Sequence, residues 1–99
     1  MFKVMTEWKV YIVSTRLNTL YTGITTDVER RLREHTRLNK GAKYLKGKGP
    51  LTVEWSQIVG TRSDALKVEY RIKQLNRPQK NALIEGRLTL EKLMSVESV

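Results

Sequence analysis

Ninety-nine residues carry 19 Lys and Arg against 10 Asp and Glu, a formal charge of +9, with 39% hydrophobic and 29% charged residues. The length allows one modest core, in which folding buries about two-thirds of the unfolded chain's surface, and leaves no room for a large enclosed cofactor cavity. The absence of cysteine excludes disulfides, Cys-ligated zinc, iron–sulfur clusters and a thiol nucleophile, and the single histidine, His35, excludes a multi-histidine metal cage.

Trp8 to Val13 alternates, with Trp8, Val10 and Ile12 on one face and Lys9, Tyr11 and Val13 on the other, the pattern of a strand. Arg16-Leu17-Asn18 predicts a turn, and Thr19 to Thr22 a returning strand that brings Tyr11 and Tyr21 near each other. Thr26-x-x-Glu29 has the form of a capping box, opening a helix from Asp27 to Leu38 with Val28 and Leu32 inward and Arg31 and His35 on an adjacent face. Lys40 to Pro50 (KGAKYLKGKGP) reads as a basic, glycine-rich loop. Leu51 to Val59 is expected as a third strand with Leu51, Val53 and Trp55 on one face.

Ser63 is placed to cap a helix over Asp64 to Leu75, whose apolar stripe is Ala65, Val68, Ile72 and Leu75, with Glu69 beside it. Pro78 suits the first turn of a further helix ending at Ile84 before Gly86, and Leu88 to Met94 predicts a short last helix. The order ββα-β-αα(α) is that of an α+β fold with helices covering a small sheet. No repeat or linker divides it, so residues 1–99 are expected to be a single domain.

The charge is uneven. Val28 to Lys48 holds eight bases against Glu29 and Glu34, and Arg62 to Lys80 holds six against Asp64 and Glu69, so two windows hold all the surplus. A polyanion is the partner such clustering predicts, nucleic acid ahead of a membrane surface. No apolar run approaches the roughly 18 residues of a membrane span. Charges at Lys3, Glu7 and Lys9 argue against a secretory leader, so no membrane partner and a cytoplasmic location are expected.

With no Walker loop, no G-x-G-x-x-G and no G-x-S-x-G elbow, the chemistry-bearing set is two strand tyrosines, a helical Arg/His pair and one glutamate. Phosphodiester hydrolysis needs an activated water and cations around the phosphate oxygens. Arg31 can hold a phosphate through two N–H groups, and Glu69 can ligate a hard cation. A phenol can take the water's proton once its value, ordinarily near ~10, has been lowered. Singly, each residue also fits a plain structural role.

Their order is more specific. Lys9-Val10-Tyr11, Tyr21-Thr22-Gly23, Thr26 to Arg31 with His35, and Ala65 to Glu69 together resemble the GIY-YIG endonuclease family, over roughly residues 8–80. YTGITTDVERR, GAKYLKGKGP and ALKVEYRIKQLNRPQK are similar to its small stand-alone bacterial members. The resemblance implies a three-stranded antiparallel sheet flanked by helices, with residues 81–99 as a helical extension. It implies Tyr11 as proton acceptor or water-positioning group, Tyr21 orienting water or phosphate, and Gly23 as the motif glycine. Arg31 matches the phosphate-steadying arginine, His35 a frequent family histidine, and Glu69 the ligand of a single Mg²⁺ (or Mn²⁺).

The implied reaction is one-metal hydrolysis of nucleic acid, DNA in preference to RNA, leaving 5′-phosphate and 3′-hydroxyl ends, in DNA repair or recombination. Arg30, Lys40, Lys43, Lys46, Lys48, Lys67, Arg71 and Lys73 are the expected backbone contacts. The chain departs from the pattern at Lys9, in place of the first motif glycine, and at Ile24, where some members carry a lysine. Asn76 and Asn81 are both candidates for a late asparagine used by some members. The alternative is a nucleic-acid-binding or accessory module with this fold and little cleavage of its own, or a nuclease subunit that needs a protein partner.

Overall fold

The structure, a computed structural model, describes residues 7–36 and 49–95. Its elements are β1 (Trp8–Ser14), β2 (Leu20–Thr25), α1 (Val28–Thr36), β3 (Thr52–Gly60), α2 (Arg62–Lys73), α3 (Arg77–Ile84) and α4 (Leu90–Ser95). The fold is α+β, as expected: the three strands form an antiparallel sheet in the order β2-β1-β3.

β1 is the central strand, and Val10 to Val13 are all buried because helices cover both faces. Val10 and Ile12 point into the larger core, with Ala65, Val68 and Ile72 of α2, Leu83 of α3, and Leu90 and Leu93 of α4. Tyr11 and Val13 point the other way, into a smaller cluster with Val28 and Leu32 of α1. Complete burial of a side chain such as Ile12 or Ile72 contributes about 1.5–3 kcal/mol.

Four local expectations need correction. β2 runs through Gly23 to Thr25 instead of ending at Thr22, because pairing with β1 continues to Lys9↔Thr25. α1 begins one residue later than the Thr26 box predicts: Asp27 Oδ1 accepts from Arg30 N at 3.0 Å and is the side chain that caps the helix. The helix cap before α2 is Thr61, with Asp64 completing a reciprocal box, so α2 starts at Arg62 and Ser63 lies inside it.

The largest correction concerns β3. The register steps from Ile12↔Trp55 to Val13↔Val53, leaving Glu54 as an extra residue. That bulge reverses the alternation, so Trp55 joins the larger core and Leu51 the smaller one, while Val53 is exposed.

Asn18 turns the β1–β2 hairpin at φ 62°, a left-handed conformation that asparagine tolerates. Gly86 follows α3 at φ 85°, and Arg87 N and Leu88 N both bond back to the Ala82 carbonyl, which ends the helix where the sequence places its stop.

Candidate active site

β1, β2, α1 and α2 enclose a cleft of about 430 Å³. Tyr11, Tyr21, Gly23, Arg31 and Glu69 all line it, so five residues from four segments of the sequence meet in one place. His35 stands behind them, buried, with Nε2 3.1 Å from Tyr11 Oη.

The local sequence explains the placement. Tyr11 lies opposite Gly23 across the β1–β2 ladder. A Cβ at position 23 would stand 2.5 Å from Tyr11 Oη and 2.7 Å from its Cζ. The motif glycine thus gives the phenol room to lie across β2. Lys9 fills the first motif position with a side chain that reaches α1's entry, its Nζ 3.3 Å from the Thr26 carbonyl oxygen.

Tyr21 completes an aromatic group. Its ring centroid is 6.5 Å from that of Tyr11 and 6.0 Å from His35, edge-on to the imidazole. Lys73 Nζ stands 5.9 Å from the Tyr21 centroid and 3.2 Å from Glu69 Oε2. One turn of α2 therefore sets an ammonium between the second tyrosine and the glutamate.

Burial and the nearby Tyr21 phenol push Tyr11 up to about 12. Arg31, through its charge and a hydrogen bond, opposes that rise without overcoming it. Burial, reinforced by the Arg31 charge, holds His35 below its ordinary value. For Arg31 itself burial favours the neutral form, but bonds to Glu34 and Tyr11 outweigh it and hold the guanidinium's value up. Glu34 is kept below the usual carboxylate range by the hydrogen bond from Arg31. Tyr11 is a neutral phenol and His35 a neutral imidazole at pH 7, beside a charged Arg31–Glu34 pair.

The expected nucleic-acid contacts divide. Arg30 lines the cleft, 3.7 Å from Glu34 Oε2, and Lys73 stands beside Glu69. Lys67 and Arg71 instead line a separate hollow with Tyr70 and Met94, and Arg71 Nη2 donates to the Leu93 carbonyl at 3.2 Å, tying α2 to α4. Lys40, Lys43, Lys46 and Lys48 lie outside the described residues. Neither candidate asparagine lines the cleft: Asn76 caps α3, and Asn81 accepts from Arg77. Ile24 does line it, where some family members carry a lysine.

Sequence reasoning missed Trp8, Arg62, Leu66 and Glu34 as cleft residues. The spacing of Arg62, Leu66 and Glu69, at i, i+4 and i+7, was a usable signal that all three share one face of α2.

Among the described residues no three His, Asp or Glu side chains converge as a metal cage. Glu34 is committed to Arg30 and Arg31, which leaves Glu69 as the cleft's carboxylate for a cation. One carboxylate with water and substrate phosphate suits Mg²⁺, which keeps much of its hydration shell, so this donor set fits a single hydrated ion.

Residues 7–82 match the GIY-YIG catalytic domain. The chain is 54% identical to the UPF0213 protein YhbQ of Salmonella typhimurium over 91 residues, covering 92% of this chain and 90% of that protein. A UPF0213 protein of Cronobacter sakazakii is 53% identical over 92% of this chain and 95% of its own. The solution NMR structure of a UPF0213 protein from Bacillus halodurans is 33% identical, with a TM-score of 0.53 over 89% of this chain and 93% of that one. The chain belongs to the GIY-YIG family, a family of nucleases whose substrates are nucleic acids. Its near relatives here are small UPF0213 proteins of similar length. Among the described residues no helix is long and apolar enough to cross a membrane.

Proposed function

We propose that the chain is a divalent-metal-dependent endonuclease that hydrolyses phosphodiester bonds, in DNA ahead of RNA, with DNA repair or recombination as its setting. The observation that carries this reading is the meeting of Tyr11, Tyr21, Arg31 and Glu69 around one cleft. Residues 1–99 act as a single domain, because α4, beyond the motif-bearing part, contributes Leu90 and Leu93 to the same core as β1.

Arg31 bonds Glu34 Oε1 at 3.0 Å through Nη1, and its other N–H groups hold the oxygens of the scissile phosphate. A phenol at about 12 is a poor base alone at neutral pH. The contact with His35 changes the task. The Arg31 charge lies on the phenol's other side, so the phenolic proton turns to His35 Nε2, with the imidazole's own proton on Nδ1. As water attacks phosphorus, its proton passes to Tyr11 Oη while the phenolic proton passes to His35, and no free phenolate accumulates. The bond to the 3′ oxygen breaks, and that oxygen takes a proton from solvent. Mg²⁺ held by Glu69 would supply positive charge for the departing oxygen. Tyr21, edge-on to His35 and under the Lys73 ammonium, keeps the imidazole's orientation and shapes the water site.

The test is cleavage of supercoiled, single-stranded and branched DNA, and of RNA, with Mg²⁺ or Mn²⁺. Glu69→Ala and Arg31→Ala are each expected to lower the rate by about 10²–10³-fold. Activity that survives both substitutions sinks the site assignment. A wild type that binds every substrate and cuts none leaves the binding-module reading in its place.

A further inference from the structure

The cations of the cleft are not equivalent. Arg30 and Arg31 share the Glu34 carboxylate, and Lys73 is paired with Glu69. Arg62 also lines the cleft, yet among the described residues its side chain meets no carboxylate and no hydrogen-bond acceptor. Instead the guanidinium carbon lies 5.6 Å from the centroid of the Trp8 ring, which is itself packed against the larger core. A guanidinium over the face of a partly buried indole is attracted to it without spending a hydrogen-bond donor.

The position is informative as well. Arg62 precedes Glu69 by seven residues on α2, about 10 Å along a helix axis. Trp8 precedes Tyr11 by three residues on β1, again about 10 Å along a strand. Two independent elements thus put the Trp8–Arg62 pair at the same remove from the reacting groups. That offset along the backbone, together with the reach of an arginine side chain, suits a phosphate next to the one held by Arg31 on the same strand. A cleft of about 430 Å³ is also much larger than one phosphate group and has room for an attached nucleoside.

We propose that Arg62, set in place by Trp8, is a second phosphate-binding residue, which holds a phosphate flanking the scissile one and so fixes the strand's direction through the cleft. The ligand class is an oligonucleotide of at least two successive phosphates. This rests on the nuclease reading for its biological sense, but binding alone tests it.

The experiment measures binding of a fluorescent DNA oligonucleotide by wild type, Arg62→Ala, Arg62→Lys and Trp8→Leu over a salt series without divalent metal, then cleavage kinetics with Mg²⁺. Loss of one phosphate contact in Arg62→Ala should weaken binding by roughly fivefold to tenfold and reduce the salt slope by about 0.7–0.9. Arg62→Lys should retain the slope with weaker binding, since the charge stays and the stacked fork does not. Trp8→Leu should likewise weaken binding with the slope unchanged, since only the platform is lost. In turnover, Arg62→Ala should raise KM with kcat retained, the sign of binding shared by ground state and transition state. Wild-type affinity and slope in Arg62→Ala overturn the proposal. Binding without cleavage by the wild type sinks the nuclease reading and leaves this one standing, whereas cleavage by Arg62→Ala at wild-type KM sinks this one alone.

Discussion

Two hollows on this molecule contain the same kinds of residue and differ in what those residues are doing. The cleft between α1 and α2 has arginine, glutamate and hydroxyl groups; so does a hollow of about 300 Å³ where the β1–β2 hairpin meets α3, lined by Ser14, Asn18, Glu54, Arg77 and Asn81 among others. In the second, the protein satisfies itself. Arg77 donates to the Asn18 carbonyl at 3.0 Å, to Asn18 Oδ1 at 3.5 Å and to Asn81 Oδ1 at 3.3 Å, and Ser14 Oγ donates to Glu54 at 2.7 Å. In the first, among the described residues, Arg62 meets an aromatic face and no acceptor, and Glu69 meets an ammonium that a metal ion can displace. A set of polar side chains becomes a site when the fold leaves its hydrogen-bonding capacity unspent.

The comparison breaks most sharply at Tyr11. Tyr11→Phe keeps the ring over Gly23 and removes only the oxygen that touches His35. Loss of a positioned proton-transfer group is expected to lower the cleavage rate by about 10²–10³-fold, measured as single-turnover cleavage at saturating protein. A rate within threefold, on the order of 0.7 kcal/mol, would put the phenol outside the reaction.

Gly23→Ala probes the same contact from the other strand. The new Cβ collides with the end of the Tyr11 ring, which is buried and cannot swing away, so a stability loss of about 1–3 kcal/mol is expected in urea unfolding. The rate should fall as well, and in a double variant with Tyr11→Phe the further fall in rate should vanish, because the glycine acts on catalysis only through the phenol. A fully additive pair of rate effects would separate Gly23 from Tyr11.

The self-satisfied hollow gives the opposite result. Arg77→Ala removes two donated bonds from α3 to the hairpin turn and one within α3, and is expected to cost about 1 kcal/mol, discounted because all three are exposed. The cleavage rate should stay at the wild-type value. A change in rate without a change in stability would make the two hollows alike.

The tyrosines, Arg31 and Glu69 were legible in the sequence because each sits on an element whose local pattern is unambiguous, and the order of segments resembled a family. α2 shows why boundaries were less so: Thr61 and Ser63 are both sound caps, and the choice between them depends on Asp64, which can close a reciprocal box only with Thr61. The bulge at Glu54 was invisible for a different reason. It is a property of how β3 pairs with β1, and LTVEW alternates acceptably whether or not a residue is skipped. Arg62 shows the same limit at the site. It was counted in the charge of its window, but its distinction from Arg30 and Arg31 lies in which cations Glu34 neutralises, and that is decided only when α1 and α2 are set side by side.

The smallest effect tests the proton state of the cleft. His35 is the chain's one histidine, so between about pH 7.5 and 5.5 any histidine-linked change belongs to the cleft and not to the Arg77 hollow. Burial and Arg31 hold its folded value below the ordinary 6.5. As pH falls through that ordinary value, the unfolded chain takes up a proton that the folded imidazole refuses. The unfolded state then binds more protons, and stability declines toward acid. The carboxylates Asp27 and Glu34 are lowered in the fold too, but the stability they contribute is lost as pH falls further, below the ordinary carboxylate values of 3.8 and 4.5. Urea unfolding of the wild type should therefore show a midpoint that drops over the histidine window, and His35→Gln should flatten that drop whatever its absolute stability. A midpoint that rises on acidification would mean that the folded imidazole welcomes the proton, and Tyr11 would then face a cation instead of an acceptor.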